Sequence, residues 1–347
     1  MTTIATDKQD WLTRADHKAV SPSNADLIRA MEEGRGREAE APSHFPFLGW
    51  KDILTRVLWS IPSDRLFTLS GGAAFFTLLA IFPAIATVVS LCGLIADRHT
   101  VVDQVNLLYG ILPPGVLDLI RQQILFVVDR GSDELGLAFV VSTSILLWSA
   151  NSGVSALFDG LNVIYGEKEK RSLVRFYATT LVITVGSIFF LVLALAGVVV
   201  MPATLHLFRL PAPTEIALQI LTWPVLLIAL SGGLSILYRV GPSRQEAKWR
   251  WLSWGSAMAA ILWLLASITF STYVASFDSY NRIYGSLGAV VGFMTWIWIS
   301  IFIVLLGAKF NAEMEHQTAQ DTTRGRPAPL GERGANVADH VGASAAE

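Results

Sequence analysis

The 347-residue chain has a single cysteine and few charged residues. One thiol, Cys92, excludes an intramolecular disulfide and a thiolate metal cluster, and its apolar surroundings in the sequence are typical of a small core residue. The six histidines are scattered without metal-ligand spacing. We therefore expect no metal, no other cofactor and no catalytic residue.

Charge is scarce throughout the chain. Asp, Glu, Lys and Arg make up 16% of the residues, against about 25% in soluble domains, whereas 52% are hydrophobic. The net charge of −2 gives no electrostatic reason to expect nucleic acid as a partner. The composition is that of a membrane protein, whose first partner is the lipid bilayer.

Six uncharged apolar runs are long enough to cross a bilayer, which takes about 20 residues. We expect an all-α polytopic membrane protein with six transmembrane helices, numbered spans one to six. The runs are Leu66–Ala96, Leu135–Phe158, Phe176–Phe208, Ile216–Tyr238, Trp251–Phe277 and Ile283–Ala308.

Lysine and arginine alternate in abundance between the connecting segments. The two tails and the connections after spans two and four carry 21 of these residues, and the other connections carry 5. By the positive-inside rule both termini face the cytoplasm. The first 65 residues are polar, so no cleavable signal peptide is expected.

The membrane domain is expected to comprise residues 66–316. Four segments of the chain are not spans, and one of them, the outer connection, lies within this domain. Residues 1–43 and 317–347 have the composition of disordered cytoplasmic tails. Residues 44–65 place an apolar stripe, including Trp50, Ile53 and Val57, on one helical face. This pattern fits either an amphipathic helix in the membrane interface or a short cap packed on the bundle. The outer connection, 97–134, predicts two short helices broken at its Pro-Pro pair.

One phrase occurs twice, 119 residues apart. Residues 152–166 and 271–285 align without a gap and agree at eight of fifteen positions. Matches of Phe, Asp, Asn and Tyr at a fixed register arise by chance less readily than matches of Ala, Leu or Ile. The motif positions are Asp159, Asn162, Tyr165 and Gly166 in the first copy, and Asp278, Asn281, Tyr284 and Gly285 in the second.

The two copies hold the same place in two triplets of spans that cross in opposite directions. This indicates a 3+3 inverted repeat, an arrangement common in transporters. Chance similarity is the alternative, because the remaining spans of the triplets do not align. In either case Asp and Asn can bond turn backbone, Gly frees a backbone angle and Tyr suits an interface. The phrase predicts a helix exit at each membrane surface.

Glycine and proline occur in corresponding spans of the two triplets. Breaks at such positions point to a transport site, although both residues are tolerated in membrane helices generally. If the triplets are an inverted repeat, a two-fold axis in the membrane plane relates them. We expect the broken spans one and four to meet near that axis. A GxxxG pair, Gly288 and Gly292, predicts helix packing and leaves oligomer formation through small-residue faces open. The break candidates are Gly71, Gly72 and Pro83 in span one, and Pro224, Gly232 and Gly233 in span four.

Several stretches together resemble the YihY / virulence factor BrkB family of bacterial inner-membrane proteins. They are FFTLLAIFPAI (75–85), LNVIYG (161–166), LYRVGP (237–242) followed by WRW (249–251), FSTYVASFDSYNRIYGSLGAVV (270–291) and LLGAKFNAE (305–313). The resemblance covers roughly residues 50–315 and implies six spans in the bacterial inner membrane. It departs from the family at Lys309, where an acidic residue is expected. Some members carry the old label ribonuclease BN, which the residues here do not support, since no cluster of metal ligands is present.

Three functions remain to be separated. The repeat and the paired breaks favour a transporter or lipid-handling protein with a path between the two triplets and an unidentified substrate or lipid. No carboxylate lies within a span, so passive or lipid-type movement is favoured over a proton-coupled pump. A non-transporting structural protein of the envelope is the alternative, and an enzyme is the least favoured.

Overall fold

The computed structural model describes residues 22–95, 132–200, 212–275 and 286–345. Within these ranges the chain is helical, and β-pairing is limited to one isolated bridge between Ala247 and Thr323. Residues 97–131 of the outer connection and residues 276–285 of the second copy of the repeated phrase lie outside the described residues. The helices are α1 (Asn24–Ala30), α2 (Phe47–Ser63), α3 (Leu66–Ile95), α4 (Ser132–Ile164), α5 (Leu173–Leu195), α6 (Ala212–Val240), α7 (Trp249–Ala275), α8 (Ser286–Gln317) and α9 (Asn336–Asp339).

Helices α3 to α8 are the six spans. Each is long and apolar enough to cross a membrane, which confirms the number of transmembrane helices read from the charge-free runs. A membrane helix forms because a backbone in hydrocarbon must satisfy its hydrogen bonds internally. Short connections, 165–172 between α4 and α5 and 241–248 between α6 and α7, join consecutive antiparallel helices.

The six helices form a ring in chain order. Helix α3 packs extensively on α4 and also on α8, α7 packs on α6 and α8, and α4 packs on α5. Helix α8 contacts α2, α3, α4, α7 and α9, so it is the element that most others share. The contact between α5 and α6 is sparse by comparison. The ring is therefore held mainly through α8 and is weakest at the α5–α6 seam.

The hydrophobic core lies at one end of the ring. Its largest cluster joins the end of α4, the end of α6, the start of α7 and the end of α8, including Phe158, Tyr165, Tyr238 and Leu305. A second cluster packs Ile53 and Val57 of α2 against α7 and α8. We call this end of the bundle the cap end and the opposite end the far end.

The segments predicted to be disordered tails are folded where they are described. Residues 22–46 and 318–345, which together we call the cap, pack on the cap end, with Arg37, Thr322, Val337 and Asp339 buried. The expectation of disorder for 318–345 and for the described part of 1–43 is therefore wrong. Composition indicated disorder because these segments lack apolar residues of their own, but they use the end of the bundle as their core.

The cap is held mainly by hydrogen bonds to charged side chains, which take the role that a large apolar core has in other folds. The carboxylate of Asp339 accepts from four backbone N–H groups, at residues 331, 333, 334 and 335. Arg333 donates to the carbonyls of residues 319, 320, 328 and 338. Such charge-assisted bonds are stronger than neutral ones. They provide partners for backbone N–H and C=O groups of the cap that are not bonded within a helix or a β-sheet.

Spans one and four are each assigned as one helix through their proline positions. Helix α3 continues through Pro83, and α6 continues through Pro224. The two helices are also not major packing partners, since α3 packs on α2, α4 and α8 and α6 packs chiefly on α7. The expectation that the two spans meet near an axis is therefore wrong for the described residues. A membrane helix tolerates proline without ending there, and the kink expected at Pro83 stays a prediction.

Candidate functional site

The first copy of the repeated phrase ends α4 inside the main core. Phe158, Leu161 and Tyr165 are fully buried, whereas Asp159 is exposed on the helix and makes no hydrogen bond within the described residues. The chain turns out of α4 at Gly166, whose φ is +64°. A Cβ there would lie 2.9 Å from Oδ1 of Asn336 in the cap. Glycine is therefore needed both for the left-handed backbone and for the close approach of the cap.

Asn162 joins the two connections at the cap end. Its Oδ1 accepts a hydrogen bond from the backbone N–H of Ser243 at 2.8 Å, and its Nδ2 donates to Glu169 at 3.0 Å. The asparagine thus bonds backbone, but that of the other connection rather than of its own turn. It links the first helix triplet to the second.

Arg171 makes further hydrogen bonds between the same two connections. Its guanidinium donates to the carbonyls of Val240 and Gly241 at 3.0 and 2.7 Å and to both oxygens of Glu169. It also lies over the rings of Phe158 and Phe176, a favourable cation–π arrangement. Burial alone would raise the pKa of Glu169, but the hydrogen bonds from Arg171 and Asn162 lower it to about 2.

A buried ion pair lies beneath the cap. Arg244 and Glu315 form two hydrogen bonds, of 2.7 and 3.0 Å, with both side chains almost completely excluded from solvent. Thr322 of the cap donates to the same carboxylate at 2.8 Å. Burial opposes the charge on Arg244, yet Glu315 raises the pKa of the guanidinium above its ordinary value. The pair joins the second connection to the end of α8.

Tyr165 lies directly against this pair. The guanidinium of Arg244 is 4.1 Å from the centre of the tyrosine ring. Burial raises the pKa of the Tyr165 phenol, so the residue is neutral at physiological pH. Its hydroxyl is buried without a hydrogen-bond partner among the described residues. The tyrosine predicted for a wet interface is instead part of a dry core.

A second cluster of charges surrounds Lys309. Its ammonium lies 2.9 Å from Asp64 and 2.9 Å from Glu313, and Arg56 of α2 donates to Glu313 at 2.6 Å. An acidic residue at 309, which the family resemblance predicts, would face two carboxylates here. The lysine therefore balances the charges of these two carboxylates. We call the two clusters, with Asn162, Glu169 and Arg171, the charged layer.

The remaining predicted positions lie away from the charged layer. A Cβ added at Gly71, Gly72, Gly232 or Gly233 would meet nothing within 4 Å, and the same holds at Gly292 of the predicted GxxxG pair. Helices approach most closely at Gly255 and Gly307, where α7 crosses α8. Asp278, Asn281, Tyr284 and Gly285 lie outside the described residues, so the equivalence of the two phrases stays a prediction.

The charged layer connects several elements at the cap end. Its carboxylates and guanidiniums are paired with one another or with backbone, and it links both triplets and the cap. Among the described ranges no group of three His, Cys, Asp or Glu residues could hold a metal ion. The sequence does not predict the pair of Arg244 and Glu315, because their pairing joins residues 71 positions apart.

Comparison with known proteins identifies relatives over most of the chain. The sequence profile described as virulence factor BrkB matches residues 58–330. A ribonuclease-like protein named YfkH from Bacillus subtilis (strain 168) is 26% identical over 251 residues, covering 70% of this chain and 88% of the relative.

Two further relatives carry only a membrane-protein description. A UPF0761 membrane protein of Tolumonas auensis is 28% identical over 272 residues, covering 76% of this chain and 85% of the relative. The UPF0761 membrane protein VV1_0885 of Vibrio vulnificus (strain CMCP6) is 27% identical over 276 residues, covering 76% and 84% respectively. No solved structure matches the chain significantly.

Proposed function

Because the chain belongs to the virulence factor BrkB family of membrane proteins, we propose that it is a transporter or lipid-handling protein of the bacterial inner membrane. Its path lies between the two helix triplets, α3–α5 and α6–α8. The ribonuclease-like name of one relative is not extended to this chain, since no metal-ligand cluster occurs among the described residues.

The observation that carries this proposal is the α5–α6 seam, where the two triplets meet least. In the far half of α5, the consecutive residues Leu191, Val192 and Leu193 are each more than half exposed. Three consecutive residues cover about 200° of a helix with 3.6 residues per turn. On α6, Leu221 and Val225 are likewise more than half exposed. Among the described residues, both helices therefore have few protein neighbours at this level.

The chemistry of the seam favours an amphipathic, lipid-like substrate. Residues 177–195 of α5 and 216–238 of α6 contain no Asp, Glu, Lys or Arg. A path lined mainly by apolar side chains does not replace the hydration of an ion, but it can accommodate acyl chains. The absence of a carboxylate in these segments also favours passive movement over proton coupling.

The distribution of basic residues supports an orientation for this path. The cap and both connections at the cap end belong to the Lys/Arg-rich segments. The positive-inside rule then orients the cap end and both termini toward the cytoplasm. In this orientation the charged layer closes the path at its cytoplasmic side.

The closed charged layer also favours a second candidate, a non-transporting structural protein of the envelope. Its charges are paired and the cap covers the end of the bundle. A static structural protein would have the same closed arrangement. A flux measurement separates the two functions. Purified protein in liposomes is assayed for transbilayer movement of headgroup-labelled phospholipids and for release of a panel of trapped solutes, against protein-free liposomes.

We expect movement of phospholipid that falls when the seam helix is enlarged. Gly232→Leu and Gly233→Leu on α6 add bulk where a Cβ meets no neighbour. Gly292→Leu on α8, equally open, is the matched control and should leave the rate unchanged. Rates equal to those of protein-free liposomes for every lipid and solute would overturn the transport proposal and leave the structural one.

A further inference from the structure

Helix α2 packs obliquely on the cap-end part of α8. Near its start, Trp50 stacks on Phe310, with ring centres 5.9 Å apart. Just beyond its other end, Asp64 pairs with Lys309 at 2.9 Å. Between these two points, Asp52 accepts a hydrogen bond from Gln317 and Arg56 donates to Glu313. All of these contacts lie in the part of α8 from Lys309 to its end at Gln317, so α2 stays at the cap end of the bundle with one face on α8.

The face of α2 opposite α8 is exposed and almost entirely apolar. At 100° per residue, its members fall within an arc of about 140°. Phe47 is 81% exposed, Leu58 66% and Trp59 77%. The hydroxyl of Thr55, on the same face, donates to the carbonyl of Lys51 at 2.8 Å, so it needs no water. The face consists of Phe47, Leu48, Lys51, Leu54, Thr55, Leu58, Trp59 and Pro62.

The exposed charges on and beside this face are basic. The two acidic residues nearby are engaged elsewhere, Asp52 with Arg35 at 2.7 Å and Asp64 with Lys309. Lys51 lies in the middle of the apolar arc, where a long side chain can extend its ammonium past apolar neighbours. Arg65 is exposed and forms no ion pair within the described part of the chain. Cations in an apolar face suit an anionic membrane surface.

Arg65 also holds a costly backbone conformation. Its φ of +53° is in the left-handed region, which is unfavourable for a residue other than glycine. The position is the sharp turn between α2 and the first span, where glycine would be the easier choice. An arginine there directs a cation to the level at which α3 enters the membrane.

We propose that α2 is an interfacial helix whose apolar face lies among the lipids of the leaflet at the cap end, with Lys51 and Arg65 bound to anionic phospholipid headgroups. The helix is continuous with α3 through only two residues, so its face adjoins the lipid-facing surface of the spans. The sequence left two alternatives open for this segment, an interfacial helix and a short cap packed on the bundle. In this proposal α2 is both, because one face packs on α8 and the other on lipid. This proposal does not depend on transport.

The test places a fluorophore on the face in the full-length protein. In a Cys92→Ser background, Leu58→Cys is labelled with an environment-sensitive dye and reconstituted into vesicles. Brominated phospholipids report contact with lipid, and aqueous iodide reports contact with water. We expect the label at position 58 to be quenched by brominated lipid and protected from iodide. A label introduced by Lys168→Cys, in the exposed connection after α4, should behave in the opposite way.

Headgroup recognition is tested with the same label. Vesicles of phosphatidylcholine alone are compared with vesicles that also contain phosphatidylglycerol. The anionic lipid should increase the quenching at position 58. Lys51→Gln and Arg65→Asn should abolish that increase, because asparagine removes the charge while tolerating positive φ, and Lys168→Gln should not affect it.

Iodide access at position 58 equal to that at position 168 would overturn the proposal, since the face would then be in water. Protection from both quenchers would also overturn it, by indicating that a second copy of the chain covers the face. A lipid contact that is indifferent to phosphatidylglycerol would remove the anionic headgroup from the proposal.

Discussion

Arg244 and Glu315 are stabilised mainly by each other. A charge buried without its partner is strongly unfavourable, whereas a pair of apolar residues in the same space can be as stable as the ion pair. Both side chains are almost completely buried, so solvent cannot replace a missing partner. The stability of the cap end therefore depends on this pair more than on the exposed ion pairs around it.

Arg244→Ala should lower the free energy of unfolding by about 3–5 kcal/mol, because it leaves Glu315 buried and unpaired. The double variant Arg244→Met, Glu315→Leu should lose clearly less than the single one. Lys170→Ala, which removes an exposed partner of Glu167, should cost no more than about 1 kcal/mol. Unfolding of the detergent-solubilised protein measures all three, and equal losses for Arg244→Ala and Lys170→Ala would contradict the argument.

Two buried tyrosines differ in whether their hydroxyls have a partner. Tyr238 donates to the carbonyl of Val304 at 2.7 Å, whereas the Tyr165 hydroxyl has no partner among the described residues. Tyr238→Phe should therefore cost about 1 kcal/mol, and Tyr165→Phe should leave stability unchanged or increase it. If Tyr165→Phe instead destabilises the protein as much as Tyr238→Phe, its hydroxyl is hydrogen-bonded in the native protein.

At the scale of elements, the crossing of α7 and α8 depends on glycine. A Cβ at Gly307 would lie within 2.8 Å of Tyr238, Ala259 and the Gly255 carbonyl. Gly307→Ala should cost about 1–3 kcal/mol, as overpacking does. Gly292→Ala, on the same helix with open space around it, should change stability by less than about 1 kcal/mol. Similar losses at both positions would contradict this account of the crossing.

The connection after α4 should loosen in acid. The pKa of Glu169 is about 2 in the folded protein, below its ordinary value of 4.5. A lowered pKa contributes stability that is present above pH 4.5 and is lost as the pH falls toward 2. Amide hydrogen exchange in residues 165–172, corrected for its intrinsic pH dependence, should therefore accelerate in that interval. Glu169→Gln should exchange faster at neutral pH and show little of this change.

At the scale of the whole molecule, the cap end should face the cytoplasm. In a Cys92→Ser background, a cysteine at position 168 or 332 should resist an impermeant thiol reagent added to intact cells. Cysteines at positions 129, 211 and 278, which belong to the segments with few Lys and Arg, should react. Labelling of position 168 from outside would contradict this orientation.

The sequence by itself determined the six spans, because hydrocarbon excludes charge and requires every backbone group to be bonded within its own helix. These requirements act on each run separately, so no distant residue has to be known. The helix exit at Gly166 was likewise predictable, since a left-handed turn after a helix selects glycine from its local neighbours.

Only the tertiary structure decided which polar residues are buried. The described parts of the tails were expected to be disordered because their own composition cannot form a core, and the structure supplies that core from four helices. Arg244 lies beneath the cap because Glu315, 71 residues away, compensates its charge. Gly307 rather than Gly292 is a packing residue because of where α7 crosses. The energy of a buried charge or a close contact depends on partners that are distant in the chain, and folding alone brings them together.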